Sequence, residues 1–184
     1  MNKVRFEQTP NPATMKFLFD QKVTDKTQEF KTSQEAEISP LAAKIFGFPW
    51  TSGVFLGPDF MAVTKQDWVD WDVLAEPLSG LIQEHLDRGE PVYLDIDTTV
   101  STNDEDPNDP PLIKDIKRAI ARDIRPVVAL DGGDIVFNKL QDDVLYIQMK
   151  GACSGCPSSQ ATLKEGIEVR MRELFPGIKE VVAI

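Results

Sequence analysis

A chain of 184 residues, 41% apolar and 27% charged, is long enough for one large domain or two small ones, each with its own core. Its net charge of −10 argues against nucleic acid and anionic membrane surfaces as partners. No apolar run approaches the ~18 residues that a membrane span needs, and the amino terminus has neither the apolar core of a secretory signal nor the basic, acid-poor look of a mitochondrial presequence.

The acidity is uneven. Residues 1–112 carry 20 acids and 9 bases, whereas residues 113–184 carry 10 and 11. Two units with different surfaces are therefore expected. The boundary falls in Thr98–Pro111, which holds three prolines, four acids and no base. Such a stretch buries too little apolar surface to offset its ordering entropy and reads as a flexible linker. The expected organisation is an α+β chain: residues 1–97, the linker 98–111, and residues 112–184.

The first unit opens with two strands, Val4–Gln8 and Met15–Phe19, around the turn Thr9-Pro10-Asn11-Pro12. Ser39-Pro40 supplies a helix cap followed by a first-turn proline, and Gly47 a stop, which predicts a short helix over Pro40–Phe46. Gly53–Leu56 and Phe60–Thr64 form a hairpin around Gly57-Pro58-Asp59. A longer helix is expected from Asp70 to Arg88, with Trp71, Leu74, Leu78, Leu81, Ile82 and Leu86 on one face and Pro77 as a kink or later start. Val92–Ile96 is a further strand candidate.

The second unit reads α-β-β-α-β. Ile113, Ile116, Ile120, Ile124 and Val127/Val128 stripe a helix from Leu112 to Leu130, bent at Pro126 and ended by Asp131-Gly132-Gly133-Asp134. Strands Ile135–Leu140 and Val144–Lys150 flank the turn Gln141-Asp142-Asp143. A helix from Pro157 to Phe175 and a strand over Ile178–Ile184 complete the unit.

Both cysteines lie in Gly151-Ala152-Cys153-Ser154-Gly155-Cys156-Pro157. Two cysteines are no disulfide framework, and a C-x-x-C reads as metal-binding or redox-active. Pro157 suits a first helical position, which makes Cys156 the expected cap and aims the positive helix end at the sulfurs. Lys150 and Lys164 flank the loop with no acid between them. These features predict exposed cysteines whose thiolates are favoured. Three chemistries fit: a thiol–disulfide oxidoreductase, a zinc–thiolate site, and a cluster bridging two copies. A closed four-thiolate site needs two chains, because each supplies two thiols. The oxidoreductase reading lacks a tryptophan before Cys153 and a proline-initiated strand placed to meet the pair.

The run Ile124-Arg125-Pro126, Asp131-Gly132-Gly133-Asp134-Ile135, Gly151 to Ser159, Thr162-Leu163-Lys164 and Gly166-Ile167-Glu168 resembles the NifU C-terminal domain. Thr9-Pro10-Asn11-Pro12 with Lys16-Phe17, Ser39-Pro40-Leu41-Ala42, Gly53-Val54-Phe55, Asp59-Phe60 and Val63-Thr64-Lys65 resemble the N-terminal domain of Nfu proteins. Phe48-Pro49-Trp50 departs from that pattern and implies a changed loop before Gly53. The resemblance implies a non-enzymatic iron–sulfur scaffold and carrier. Cys153 and Cys156 of two chains would bind a 4Fe–4S cluster across a homodimer, taking it from an upstream assembly scaffold and delivering it to apo-proteins. A bacterial cytoplasm is favoured, with a mitochondrial matrix as the alternative for a processed form. In this resemblance Asp131–Asp134 shapes the backbone near the site; a helix-ending turn needing two glycines is the plainer and preferred reading.

Overall fold

The computed structural model describes residues 3–94, 106–154 and 157–184, the last range without the side chains of 157–159. The chain divides into two compact units, Met1–Val100 and Ser101–Ile184.

The first unit is a five-stranded antiparallel sheet, β1 (Val4–Gln8), β2 (Thr14–Phe19), β3 (Gln28–Phe30), β4 (Thr51–Leu56) and β5 (Phe60–Lys65), in the order β1-β2-β5-β4-β3. The β1–β2 turn closes because Asn11 Oδ1 accepts the Ala13 N–H at 3.0 Å and Thr9 Oγ1 donates to the Thr14 carbonyl at 3.0 Å. Helix α1 (Pro40–Phe46) starts as expected: Ser39 Oγ accepts the Ala42 N–H at 3.2 Å and donates to the Val92 carbonyl at 2.6 Å. Phe48 and Trp50, in the departing loop, stack on each other at 5.2 Å between centroids.

Helix α2 (Trp71–Asp87) runs through Pro77, so the proline marks no later start. Its buried residues are Trp71, Ala75, Leu78, Ser79, Ile82 and His85, while Leu74, Leu81 and Leu86 are only partly buried. The core face therefore includes two polar side chains that a hydrophobic pattern omits. Ser79 is satisfied by donating to the Val4 carbonyl at 2.9 Å, which ties the helix to β1. Met15, Phe17, Phe19, Val54, Leu56, Met61 and Val63 alternate along their strands and pack under α1 and α2. Residues 92–94 are not a strand; 95 and 96 lie outside the described residues.

Of the segment read as a linker, 98–105 lie outside the described residues. Residues 106–110 form a turn in which Asp106 Oδ1 accepts the Asn108 N–H at 2.8 Å and Asp109 takes Lys117 at 2.6 Å. Helix α3 (Pro111–Ala119) follows at once, and passes through a single π turn, Ile120–Ile124, into α4 (Arg125–Leu130). The π turn explains the stripe Ile116, Ile120, Ile124, Val128, all buried. A spacing of four outruns the 3.6-residue α turn, and one wider i→i+5 turn returns these side chains to a common face. Pro126 then sits in the first turn of α4, directly after the Arg125 N–H that closes the π turn on the Ile120 carbonyl.

The second sheet pairs β6 (Gly133–Gln141) with β7 (Val144–Gly151) antiparallel and β7 with β8 (Glu180–Ala183) parallel. Asp142 and Asp143 both take positive φ in the two-residue turn, as a tight hairpin demands. Helix α5 (Pro157–Leu174) covers the sheet through Ile167 and Met171. The observed order is α-β-β-α-β.

Candidate functional site

The site grows out of two glycine-dependent turns that meet. Gly132 ends α4 with φ +79, and Gly151 ends β7 with φ +67, a region that side-chain-bearing residues avoid. Gly133 and Gly151 are register partners at the end of the β6–β7 ladder. The Ala152 N–H bonds the Gly132 carbonyl at 3.1 Å, and Ser154 Oγ donates to the Gly151 carbonyl at 2.8 Å. Ala152–Ser154 thereby form a fixed 3₁₀ turn that holds Cys153.

Cys153 points inward. It is 4% exposed and belongs to the core cluster with Ile116, Ile135 and Met149. A Cβ built on Gly133 would stand 2.5 Å from Cys153 Sγ and 2.7 Å from the Lys150 carbonyl oxygen. Gly133 is therefore glycine because the sulfur occupies that space. The Asp131–Asp134 motif is a helix-ending turn at Gly132, as preferred from the sequence, and at Gly133 it is also part of the cysteine site.

The expectation of an exposed, thiolate-favouring Cys153 is overturned. Burial first, and then the charges of Asp131 and Asp134, push its thiol up to about 12. No acid lies near it in sequence order, but the fold returns α4 and β6 beside the loop. Lys164 does not offset them, since its Nζ lies 3.5 Å from Glu180. Asp134 is itself held by Arg125, whose Nε and Nη2 donate to its two carboxylate oxygens at 2.7 Å each. Asp134 Oδ1 also accepts the Ile135 N–H at 2.8 Å. Arg125 appeared in the sequence only as part of a motif; nothing local announced its partner nine residues on. Cys156, the other predicted ligand, lies outside the described residues, as does Gly155. Helix α5 begins at Pro157, as the sequence predicted.

Residues 4–89 match the family described as "Scaffold protein Nfu/NifU N terminal", and residues 116–182 match the "NifU-like domain". The human "NFU1 iron-sulfur cluster scaffold homolog, mitochondrial" is 32% identical over 180 residues, covering 97% of this chain and 70% of the human protein.

The chain belongs to the Nfu family.

The Drosophila sechellia protein of the same name is 34% identical across 97% of this Nfu-family chain, which spans 63% of that relative's length. A solution NMR structure of a NifU-like protein from Saccharomyces cerevisiae shares 26% identity, with a TM-score of 0.46, over 52% of this Nfu-family chain and 87% of the yeast one. Among the described residues no helix is long and apolar enough to cross a membrane.

Proposed function

We propose that the chain is an iron–sulfur cluster scaffold and carrier, not an enzyme. Cys153 and Cys156 of two copies supply the four thiolates of a 4Fe–4S cluster, which is cargo received from an assembly scaffold and passed to apo-proteins. The observation that carries this reading is that residues 116–182, which hold both cysteines, match the NifU-like domain, in a chain whose relatives are named iron–sulfur cluster scaffolds. Iron binding replaces the thiol proton, so loading releases one proton per cysteine. The amino-terminal unit, joined through residues 98–111, recognises recipients. The word mitochondrial in the relatives' names supports the matrix alternative over the bacterial cytoplasm.

The buried thiol weighs against Cys153 as the attacking sulfur of an oxidoreductase. A dithiol reductase attacks as thiolate, and a thiol near 12 is almost wholly protonated at neutral pH. Anaerobic reconstitution with ferrous iron and sulfide is the test. About four iron and four sulfide per dimer are expected, with transfer to an apo-acceptor, and no stable cluster in Cys153→Ser or Cys156→Ser. A colourless zinc-loaded chain, or a readily cycled disulfide on a persistent monomer, would overturn it.

A further inference from the structure

Trp68 and Val73 are 66% and 67% exposed, the first just before α2 and the second in its first turn. A tryptophan left in water, with an exposed valine five residues on, is unusual for a surface with no occupant. Trp71, between them in sequence, is buried edge-on to Phe17 at 6.2 Å and to Trp50 at 6.3 Å. Asp67, Asp70, Asp72 and Glu76, each within three residues of one of these two in sequence, are exposed as well. Among the described residues none of the four has an ion-pair partner, and Asp70 makes no capping bond with its side chain. Lys65, the nearest base in sequence, reaches instead toward the Gln66 carbonyl at 3.4 Å. Helix capping accounts for acids at positions 70 and 72, but not for Asp67 and Glu76, nor for the exposed rings and methyls.

We propose that the amino-terminal end of α2 is a docking surface for a basic polypeptide segment with an apolar anchor, carried by a recipient protein. Trp68 and Val73 receive the anchor, and the four carboxylates attract the flanking lysines or arginines. Aromatic anchors carry much of the energy of such contacts, while the charges set approach and selectivity. This surface deepens the recognition role given to the amino-terminal unit and rests on that reading; it does not involve the cysteines.

The full chain itself supplies the probe. Trp50 and Trp71 are buried, so a change in tryptophan emission on binding reports Trp68. The ligand is a synthetic lysine/leucine peptide patterned as an amphipathic helix. Lysine/glutamine and glutamate/leucine peptides of equal length are the controls. The lysine/leucine peptide is expected to blue-shift Trp68 and to bind about tenfold more tightly than either control. By calorimetry, Trp68→Ser and Val73→Ser should each weaken it about tenfold, and Asp67→Asn with Glu76→Gln should flatten its salt dependence, with thermal midpoints unchanged. Equal binding of the lysine/glutamine peptide, or variants that bind like wild type, would overturn the surface. Amide exchange separates the two levels. Protection elsewhere in the amino-terminal unit removes this surface and leaves the recognition role; protection confined to the second unit, or no binding, removes both.

Discussion

Gly133 and Cys153 share one space: a Cβ at position 133 would lie 2.5 Å from the cysteine sulfur. The second obstacle, the Lys150 carbonyl at 2.7 Å, is backbone and cannot swing aside. Gly133→Ala should therefore move the 3₁₀ turn that carries the thiol and cost about 1–3 kcal/mol, the usual penalty for overpacking. Urea unfolding and cluster reconstitution on one sample test both consequences. A variant with wild-type stability and loading would mean that the turn shifts freely.

The Cys153 thiol should be slow to react and costly to ionise. In a Cys156→Ser background, its alkylation at pH 8 should be far slower than that of free cysteine, and Asp131→Asn should speed it. Stability follows from the same shift. The unfolded thiol releases its proton near 9.0 and the folded one near 12, so between these values the folded chain binds more protons. This contribution is complete below pH 9 and is lost as pH rises toward 12. Unfolding of the second unit, followed by circular dichroism across that range, should show the slope, and Cys153→Ser should lack it.

Arg125 should matter chiefly through Asp134. Removing the guanidinium leaves a carboxylate that is nearly buried, and the cost should be about 3 kcal/mol, the low end for a broken buried pair because Arg125 is a quarter exposed. Asp134→Asn in the Arg125→Ala background should restore part of the loss. A thermodynamic cycle over the four proteins measures the coupling. Additive losses would mean that the two hydrogen bonds contribute little.

His85 should make the amino-terminal unit acid-sensitive. Its ring is buried in α2; Nε2 lies 3.2 Å from the Pro91 carbonyl and Nδ1 3.3 Å from Glu90 Oε2, without a hydrogen bond at Nδ1. Burial first, and then Lys44, lower its pKa below 6.5, while the Pro91 carbonyl and Glu90 pull the other way. The unfolded chain therefore takes up the proton first. Stability is complete above pH 6.5 and falls as the pH drops below that value toward the folded pKa. All three tryptophans lie in this unit, so their fluorescence follows it alone. Melting points at pH 5.5 and 7.5 should converge in His85→Gln.

Much of the fold was legible because the signals are short-range. The Ser39 cap, the Gly57-Pro58-Asp59 hairpin, the start of α5 at Pro157 and the α-β-β-α-β order follow from turn chemistry and periodicity. Strand β3 escaped because Gln28-Glu29-Phe30 is three residues long and carries no alternation to detect. The π turn left a trace, the exact four-residue spacing of Ile116, Ile120, Ile124 and Val128, which passes for an ordinary stripe unless the drift of an α-helix is counted.

The site divides the same way. The sequence by itself determined that Cys153 shares a C-x-x-C, that glycines surround it and that a helix follows. Only the tertiary structure decided that Cys153 is buried, that Gly133 lies against its sulfur, and that Asp131 and Asp134 act on it from another element. Desolvation and charge act through space. The local sequence around the cysteine held two lysines and no acid, so its apparent field had the opposite sign to the one the folded chain imposes.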